Sequence, residues 1–458
     1  MDGKTIGKRE SWASRIGFIL AAAGSAIGLG NIWKFPYLAG QGGGAAFLFV
    51  YLLAVAFIGL TVMLAEFAIG RAAGLDAIGS FKKLAPRTFW WVTGAFGVLA
   101  AFMILSFYGV VGGWSIAYIF KMLFGSLANL SGEEYSNIFV NFITGTTEPI
   151  LWQLVFMGLT IGIVVAGIQG GIEKWNKILM PAIFVILLLL IVRGLTLEGA
   201  MAGIEFYLKP DFSKIDGSVI LAALGQAFFS LSLGMGTMIT YASYFSKEEN
   251  LVSSAVTVVS LDTLAAFLAG LAIFPAVFAT GLAPDAGPGL VFITLPGVFD
   301  RMPLGTLFGV AFFILLTFAA LTSAISILEC VVAFVKDQWG WSRRNASVII
   351  GGIITLVGMV CSLSMGAWSG FTVPFPAHGH LNFFDLMDVI SSKVLLTGGA
   401  FLICLFIGIY WKVDNAISEL NNDNKLAISW LPVWGFLVKF VAPITILFVI
   451  LNGFGIIG

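Results

Sequence analysis

The chain has 458 residues, of which 59% are hydrophobic and only 10% charged, and its mean hydropathy is +1.00. A soluble domain carries about 25% charged residues, so this chain is solvated mostly by lipid. Its 24 basic and 24 acidic side chains cancel without forming a block of either sign, so nothing points to a nucleic-acid partner.

Residues 1–14 read as a polar cytoplasmic N-terminal segment. The apolar run that follows is long and has no small-residue cleavage site, so it is expected to stay as a membrane helix. Runs of roughly 20 apolar residues, the length needed to cross the hydrocarbon core, recur about eleven times. They lie near 15–37, 44–70, 89–123, 150–168, 175–194, 219–243, 253–280, 304–335, 346–366, 387–412 and 433–455. Such long runs exclude an outer-membrane barrel, whose strands are short and alternating. The expectation is an all-α integral membrane protein with a single transmembrane domain over 15–455. Segments 124–149, 195–218 and 281–303 would be ordered loops.

Lysine and arginine in the loops predict the orientation. Lys4, Lys8, Arg9, Arg15, Arg71, Lys82, Lys83, Lys174, Lys177, Arg343 and Arg344 fall on the N-terminal side, and fewer basic residues fall on the other. The N-terminus is therefore expected in the cytoplasm and Gly458 outside a cell membrane.

Two spans depart from plain apolar helices. The first contains Gly24-Ser25-Ala26-Ile27-Gly28-Leu29-Gly30-Asn31, and the sixth contains Ser230-Leu231-Ser232-Leu233-Gly234-Met235-Gly236. Glycine weakens a helix by roughly 1 kcal/mol per site, and in lipid the freed backbone groups need other partners. Close helix packing through small residues is one explanation. The other is a transporter built from two halves, about 15–194 and 219–412 with an extra helix at 433–455. Interrupted helices in matching positions then frame the substrate site. Bare carbonyls ligate a dehydrated cation, and half-helix N-termini attract a carboxylate. An amino acid, as a zwitterion, needs both.

Three acids lie inside spans: Glu66, Asp262 and Glu329. Intramembrane charge costs from about 2.5 kcal/mol upward and is usually functional. The sequence offers no specific account of Glu329. Cys330, Cys361 and Cys404 are too far apart for a metal knuckle, and His378 and His380 share one loop without acidic or thiol companions. No catalytic motif accompanies them, so the chain is not expected to be an enzyme.

Five stretches, Gly24–Pro36, Glu66–Arg71, Phe228–Tyr244, Gly287–Pro296 and Leu321–Ser323, closely resemble the neurotransmitter:sodium symporters. The resemblance covers nearly the whole chain. It implies a LeuT-type five-plus-five inverted repeat with helices 1 and 6 unwound, and sodium-coupled symport of amino acids. One sodium site is implied at the carbonyls of Gly24, Ile27 and Ala319 with the hydroxyls of Thr322 and Ser323. A second is implied at Ala26, Asn31, Ser230 and Asp262, so that two Na⁺ are co-transported. The substrate pocket is implied at Ala26, Gly28, Leu29, Gly30, Trp33, Ile104, Tyr108, Phe229, Ser230, Ser232, Met235, Ser323 and Ile327. Its apolar wall favours hydrophobic side chains, and Met235 adapts to aliphatic or aromatic shapes. Gly28 stands where monoamine carriers have aspartate, so the substrate is expected to bring its own carboxylate.

Asp262 departs from the family's usual asparagine, and Ala266 from its serine or acid. Tyr51, Gln226 and Ser230 keep the rest of a chloride-site pattern. Asp262 is therefore expected to make transport chloride-independent and, when the carrier returns empty, to carry a proton back. Glu66 is expected to tie down the unwound backbone of helices 1 and 6. The resemblance implies gate pairs Lys34–Asp388 outside and Arg9–Asp337 inside, with Trp12 anchoring helix 1. Gly171 and Pro181 match a Gly-X9-Pro pattern associated with unwinding of helix 5. A proton-coupled permease of the same fold is the alternative, and a channel a third.

Overall fold

The computed structural model describes residues 10–281, 287–422 and 426–457. Lys4, Lys8, Arg9, Lys425 and Gly458 lie outside these. Among the described residues, nine helices are long and apolar enough to cross a membrane. They are spans 2 (Ala45–Ala73), 3 (Trp91–Leu123), 4 (Glu148–Val165), 5 (Ile168–Leu195), 7 (Leu251–Ala279), 8 (Gly305–Trp339), 9 (Arg343–Ser364), 10 (Phe383–Trp411) and 11 (Leu431–Gly453). Span 1 is a bent pair, Arg15–Ala26 and Gly30–Gln41, at 46°. Span 6 is split into Gly217–Ser230 and Thr237–Ala242, each too short to cross alone. The all-α membrane protein expected from composition is thus present, with span ends displaced by a few residues.

Several of those ends are set by caps, which replace missing helical acceptors. Ser14 accepts from Gly17 N–H at 3.0 Å, Asn250 from Ser253 N–H at 2.9 Å and Asn382 from Asp385 N–H at 2.9 Å. The last cap starts span 10 earlier than hydropathy alone indicated.

Spans 3 and 8 form the centre, with 78% of their most apolar window buried against 39% for spans 4, 5 and 11. Exposed Leu188, Leu189 and Val192 on span 5 and Phe448 on span 11 form a lipid-facing rim. With hydrocarbon on both sides of the transfer, close packing and interhelical hydrogen bonds hold the spans together. A Cβ on Gly113 of span 3 would lie 2.6 Å from Gln153 N of span 4, so only glycine allows that approach. Gln153 then donates across to Thr355 O of span 9 at 3.0 Å, and the Ser115 and Thr317 hydroxyls pair at 2.9 Å between spans 3 and 8. At the Arg15 end of the bundle, buried Arg71 donates to Glu419, Asn422 and the Glu249 carbonyl. That one guanidinium ties span 2 to the loop after span 6 and to the end of the short helix Val413–Leu420 after span 10.

Span 5 differs from expectation. It is regular from Lys174 to Leu195, straight through Pro181, because a long helix accommodates one missing N–H. The irregularity lies before the proline. Gly167 turns with φ +89°, and Ile168–Glu173 forms a π-helical turn that contains Gly171.

The break in span 6 depends on Gly234, whose φ is +78° and whose added Cβ would sit 2.0 Å from Leu396 O. Gly234→Ala is expected to cost about 1–3 kcal/mol of strain and to lower the melting temperature of the detergent-purified protein. An unchanged melting curve would show that this backbone is not held left-handed.

Candidate functional site

Span 1 stops being helical at Ile27, whose φ and ψ are −77° and 96°. From there its backbone turns to side chains, two of them on other spans and one its own. Leu29 N–H donates to the Tyr108 hydroxyl oxygen at 3.0 Å, and Gly28 N–H to Asn31 Oδ1 at 3.1 Å. Gly30 O accepts from Gln226 Nε2 at 2.7 Å. In span 6, Gly234 N–H donates to Glu66 Oε1 at 2.6 Å. Glu66 therefore ties down helix 6 as expected, while the loosened backbone of helix 1 is held by Tyr108, Asn31 and Gln226 instead.

Two oxygen clusters flank the breaks. In the first, Thr322 Oγ1 lies 3.0 Å from Ala319 O and 3.4 Å from Ile27 O. Ser323 Oγ lies 3.3 Å from Gly24 O and 3.0 Å from Ser25 O. All five oxygens expected here, those of Gly24, Ile27, Ala319, Thr322 and Ser323, are thus gathered. Hydroxyl hydrogens rotate away readily, so the same oxygens can turn to a cation. Oxygen-only ligation suits a hard ion.

In the second cluster, Asp262 accepts from Asn31 Nδ2 at 2.8 Å, from Ser230 Oγ at 3.0 and 3.1 Å, and from Tyr51 Oη at 3.3 Å. Asp262 is completely buried. Among the described residues no lysine or arginine pairs with it, so a cation would complete its environment.

Between the clusters lies a notch at Gly28. A Cβ there would stand 2.3 Å from Ser323 Oγ and 2.7 Å from Tyr108 Oη, so no side chain fits. Ser232 donates to Ser25 O at 2.8 Å with φ +54°, and Ala26, Ile104, Met235 and Ile327 are buried. A Cβ on Gly30 would lie 3.2 Å from the Phe229 ring. Trp33 faces Phe292 at 6.4 Å, and Phe292 also meets Trp114, Tyr118, Phe139 and Phe313. Loop residue Phe292 is thereby packed into an aromatic box beside the site, a role that sequence reading missed.

The outer gate residues are not joined. The Lys34 ammonium lies 4.3 Å from the centroid of the Phe229 ring, a cation–π placement, rather than on Asp388. At the opposite end, Trp12 donates to Tyr241 O at 3.0 Å and stacks edge-on with its ring. Asp337 accepts from Asp76 N–H at 2.9 Å, and its expected partner Arg9 lies outside the described residues. Burial raises the Asp76 carboxyl above its ordinary value.

Three further residues act here. Glu329, left without an account in the sequence, is clamped by Arg343 at 2.6 and 3.0 Å and by the Tyr244 hydroxyl at 2.8 Å. Arg343 also holds Glu10. Asn176 of span 5 is buried with Oδ1 unpartnered, and that oxygen would lie 2.1 Å from a Cβ on Gly24. Glu173 reaches the start of span 1. The signal for Asn176 and Glu173 was faint: polar residues three apart at the edge of an apolar run.

The chain matches the family model described as the sodium:neurotransmitter symporter family over residues 9–141 and 143–456. It is 44% identical over 453 residues to the uncharacterized sodium-dependent transporter YhdH of Bacillus subtilis (strain 168), covering 98% of this chain and 99% of that protein. It is 37% identical to the uncharacterized sodium-dependent transporter MJ1319 of Methanocaldococcus jannaschii, covering 95% of this chain and 89% of that one. Among solved structures it is similar to MhsT in complex with L-phenylalanine, with 51% identity and a TM-score of 0.89. That likeness covers 98% of this chain and 100% of MhsT. Broken spans 1 and 6, oxygen clusters beside both breaks and these likenesses lead to one conclusion: the chain belongs to the sodium:neurotransmitter symporter family, whose members are transporters and not enzymes.

Proposed function

We propose that this protein imports hydrophobic L-amino acids, aliphatic and aromatic, together with two sodium ions and independently of chloride. The observation that carries the reading is the Gly28 notch between the two oxygen clusters. Tyr108 Oη and Leu29 N–H meet there, at the end of a helix half, where a substrate carboxylate would find a hydroxyl and a backbone donor. The carboxylate would also reach the cluster of Asn31, Ser230 and Asp262, and so link substrate to ion. The wall beyond it, Ile104, Phe229, Met235 and Ile327, is apolar, and the MhsT structure was solved with L-phenylalanine. The lysine and arginine pattern supports a cytoplasmic N-terminus in the cell membrane.

Charge explains why chloride is not needed. Two sodium ions, a neutral zwitterion and the Asp262 carboxylate sum to +1, without a mobile anion. Opposite charges about 4 Å apart at an effective dielectric near 20 attract by about 4 kcal/mol, enough to stand in for a bound halide. Sodium leaving with substrate uncovers Asp262, which would then return protonated.

Counterflow with radiolabelled amino acids tests the whole reading. Leucine, phenylalanine and tryptophan should exchange in sodium and stop when choline replaces it. Exchange that persists in choline refutes the coupling. Replacing chloride by gluconate should leave uptake within about twofold. Asp262→Asn should raise the sodium concentration for half-maximal uptake in gluconate at least tenfold, a change of about 1.4 kcal/mol. A wild-type carrier that fails in gluconate overturns chloride independence. Gly28→Asp should abolish amino-acid binding in a scintillation-proximity assay, and retained binding would remove Gly28 from the site.

A further inference from the structure

We infer that Glu173 is a positioning residue that latches the first half of span 1 to span 5 and so links the π-turn before span 5 to opening of the cytoplasmic side. The inference rests on the sodium-symport reading and its orientation, and names a residue which that reading leaves without a role.

Glu173 ends the π-turn Ile168–Glu173 and is 1% exposed. Its Oε2 accepts from Ala13 N–H at 2.8 Å, and its Oε1 from the Ser14 hydroxyl at 3.2 Å. Ala13 and Ser14 immediately precede the helix Arg15–Ala26, where N–H groups lack helical acceptors. A carboxylate there also meets the positive end of the helix dipole. Lys177, one turn along span 5, holds the same carboxylate at 2.6 Å and fixes its direction.

A second tether leaves the same turn: Gln169 Nε2 donates to Ser11 O at 2.8 Å. Span 1 is cut away to receive the latch, since a Cβ on Gly17 would stand 2.0 Å from Glu173 Oε1. Gly24, seven residues on along the same helix, faces Asn176 in the same manner. Gly171 lies inside the turn, with a notional Cβ 2.0 Å from Ile163 O, so the turn folds tightly on the end of span 4. Any rearrangement of this turn moves Gln169 and Glu173 together and frees residues 11–14. The ion cluster built on Gly24 and Ile27 lies on the half-helix so released. Latch closed, that cluster is assembled; latch open, the carbonyls withdraw from Thr322 and Ser323.

Hydrogen–deuterium exchange of the purified full chain in sodium chloride and in choline chloride tests this without transport. Wild type should show sodium-dependent protection in 11–26 and 168–181. Glu173→Ala should raise exchange in both segments about tenfold in sodium, towards the choline rate. Gly17→Ala keeps the carboxylate but displaces it, and should do the same although alanine is the better helix former. The double variant should match the single ones, because both remove one interaction. Glu173→Gln, which keeps one acceptor but loses the charge and the second acceptor, should fall between wild type and the alanine variants, and the sodium concentration for half-maximal protection should rise most in the alanine variants. Unchanged exchange in both single variants, or additive effects in the double, overturns the latch and leaves symport standing. Absence of any sodium response in wild type overturns both.

Discussion

A backbone carbonyl or amide with no partner costs several kilocalories per mole in hydrocarbon, and the arrangement of this protein follows from where it breaks that rule and how it repairs the damage. Spans 1 and 6 give up helical bonding at Ile27–Leu29 and Leu231–Gly236. The repair comes from side chains, most of them on other helices: Tyr108, Gln226 and span 1's own Asn31 for span 1, Glu66 for span 6, Thr322 and Ser323 for the freed carbonyls. Each substitute is a polar group that can also serve an ion or a carboxylate. Cargo binding and backbone satisfaction therefore draw on the same atoms. A site made of borrowed partners holds its shape only while they are in place, which suits a binding site that must be dismantled once per cycle.

The breaks themselves were legible because glycine density inside an apolar run has few physical explanations. The cluster residues Thr322, Ser323, Asn31 and Asp262 came from the family resemblance, since a hydroxyl in a membrane helix often bonds back to its own helix and polarity alone does not single them out. The hydropathy runs marked the spans, and the caps at Asn250 and Asn382 account for part of the displacement at their ends. What stayed hidden were partners on separate elements, near or far along the chain. Glu329 reads as an unexplained acid until Arg343 is seen reaching it across the start of span 9. Arg71 belongs to a recognisable motif, but its targets Glu419 and Asn422 lie some 350 positions away. Periodicity and composition carry no information on such pairings.

Two expectations meet a different geometry in this structure, both because a residue pattern fixes a capability and not a position. Lysine at position 34 lacks the bidentate fork that binds a carboxylate firmly. Its ammonium lies on the face of Phe229, where the ring offers negative potential, and the Asp388 partnership is not formed. Pro181 removes one hydrogen bond from span 5, but a helix of 22 residues tolerates the loss. The irregular backbone is the π-turn upstream, where Gly167 and Gly171 permit geometry that side chains forbid.

The two ends of the molecule are held in different ways. Around Phe292 and Phe229 most contacts are between aromatic rings, individually weak, with Lys34 on the Phe229 face and the ion pair Lys121–Glu148 towards the rim. At the Arg15 end they are charged and directional: Arg343 with Glu329 and Glu10, Arg71 with Glu419, Glu173 with the first residues of span 1. Charge-assisted bonds are roughly twice as strong as neutral ones. An end closed by ring contacts can loosen gradually, whereas an end closed by ion pairs stays shut until several release together. On the proposed symport cycle, release at the Arg15 end would wait for a concerted event, and the shared turn of Gln169, Gly171 and Glu173 would carry that event to the half-helix that bears Gly24 and Ile27.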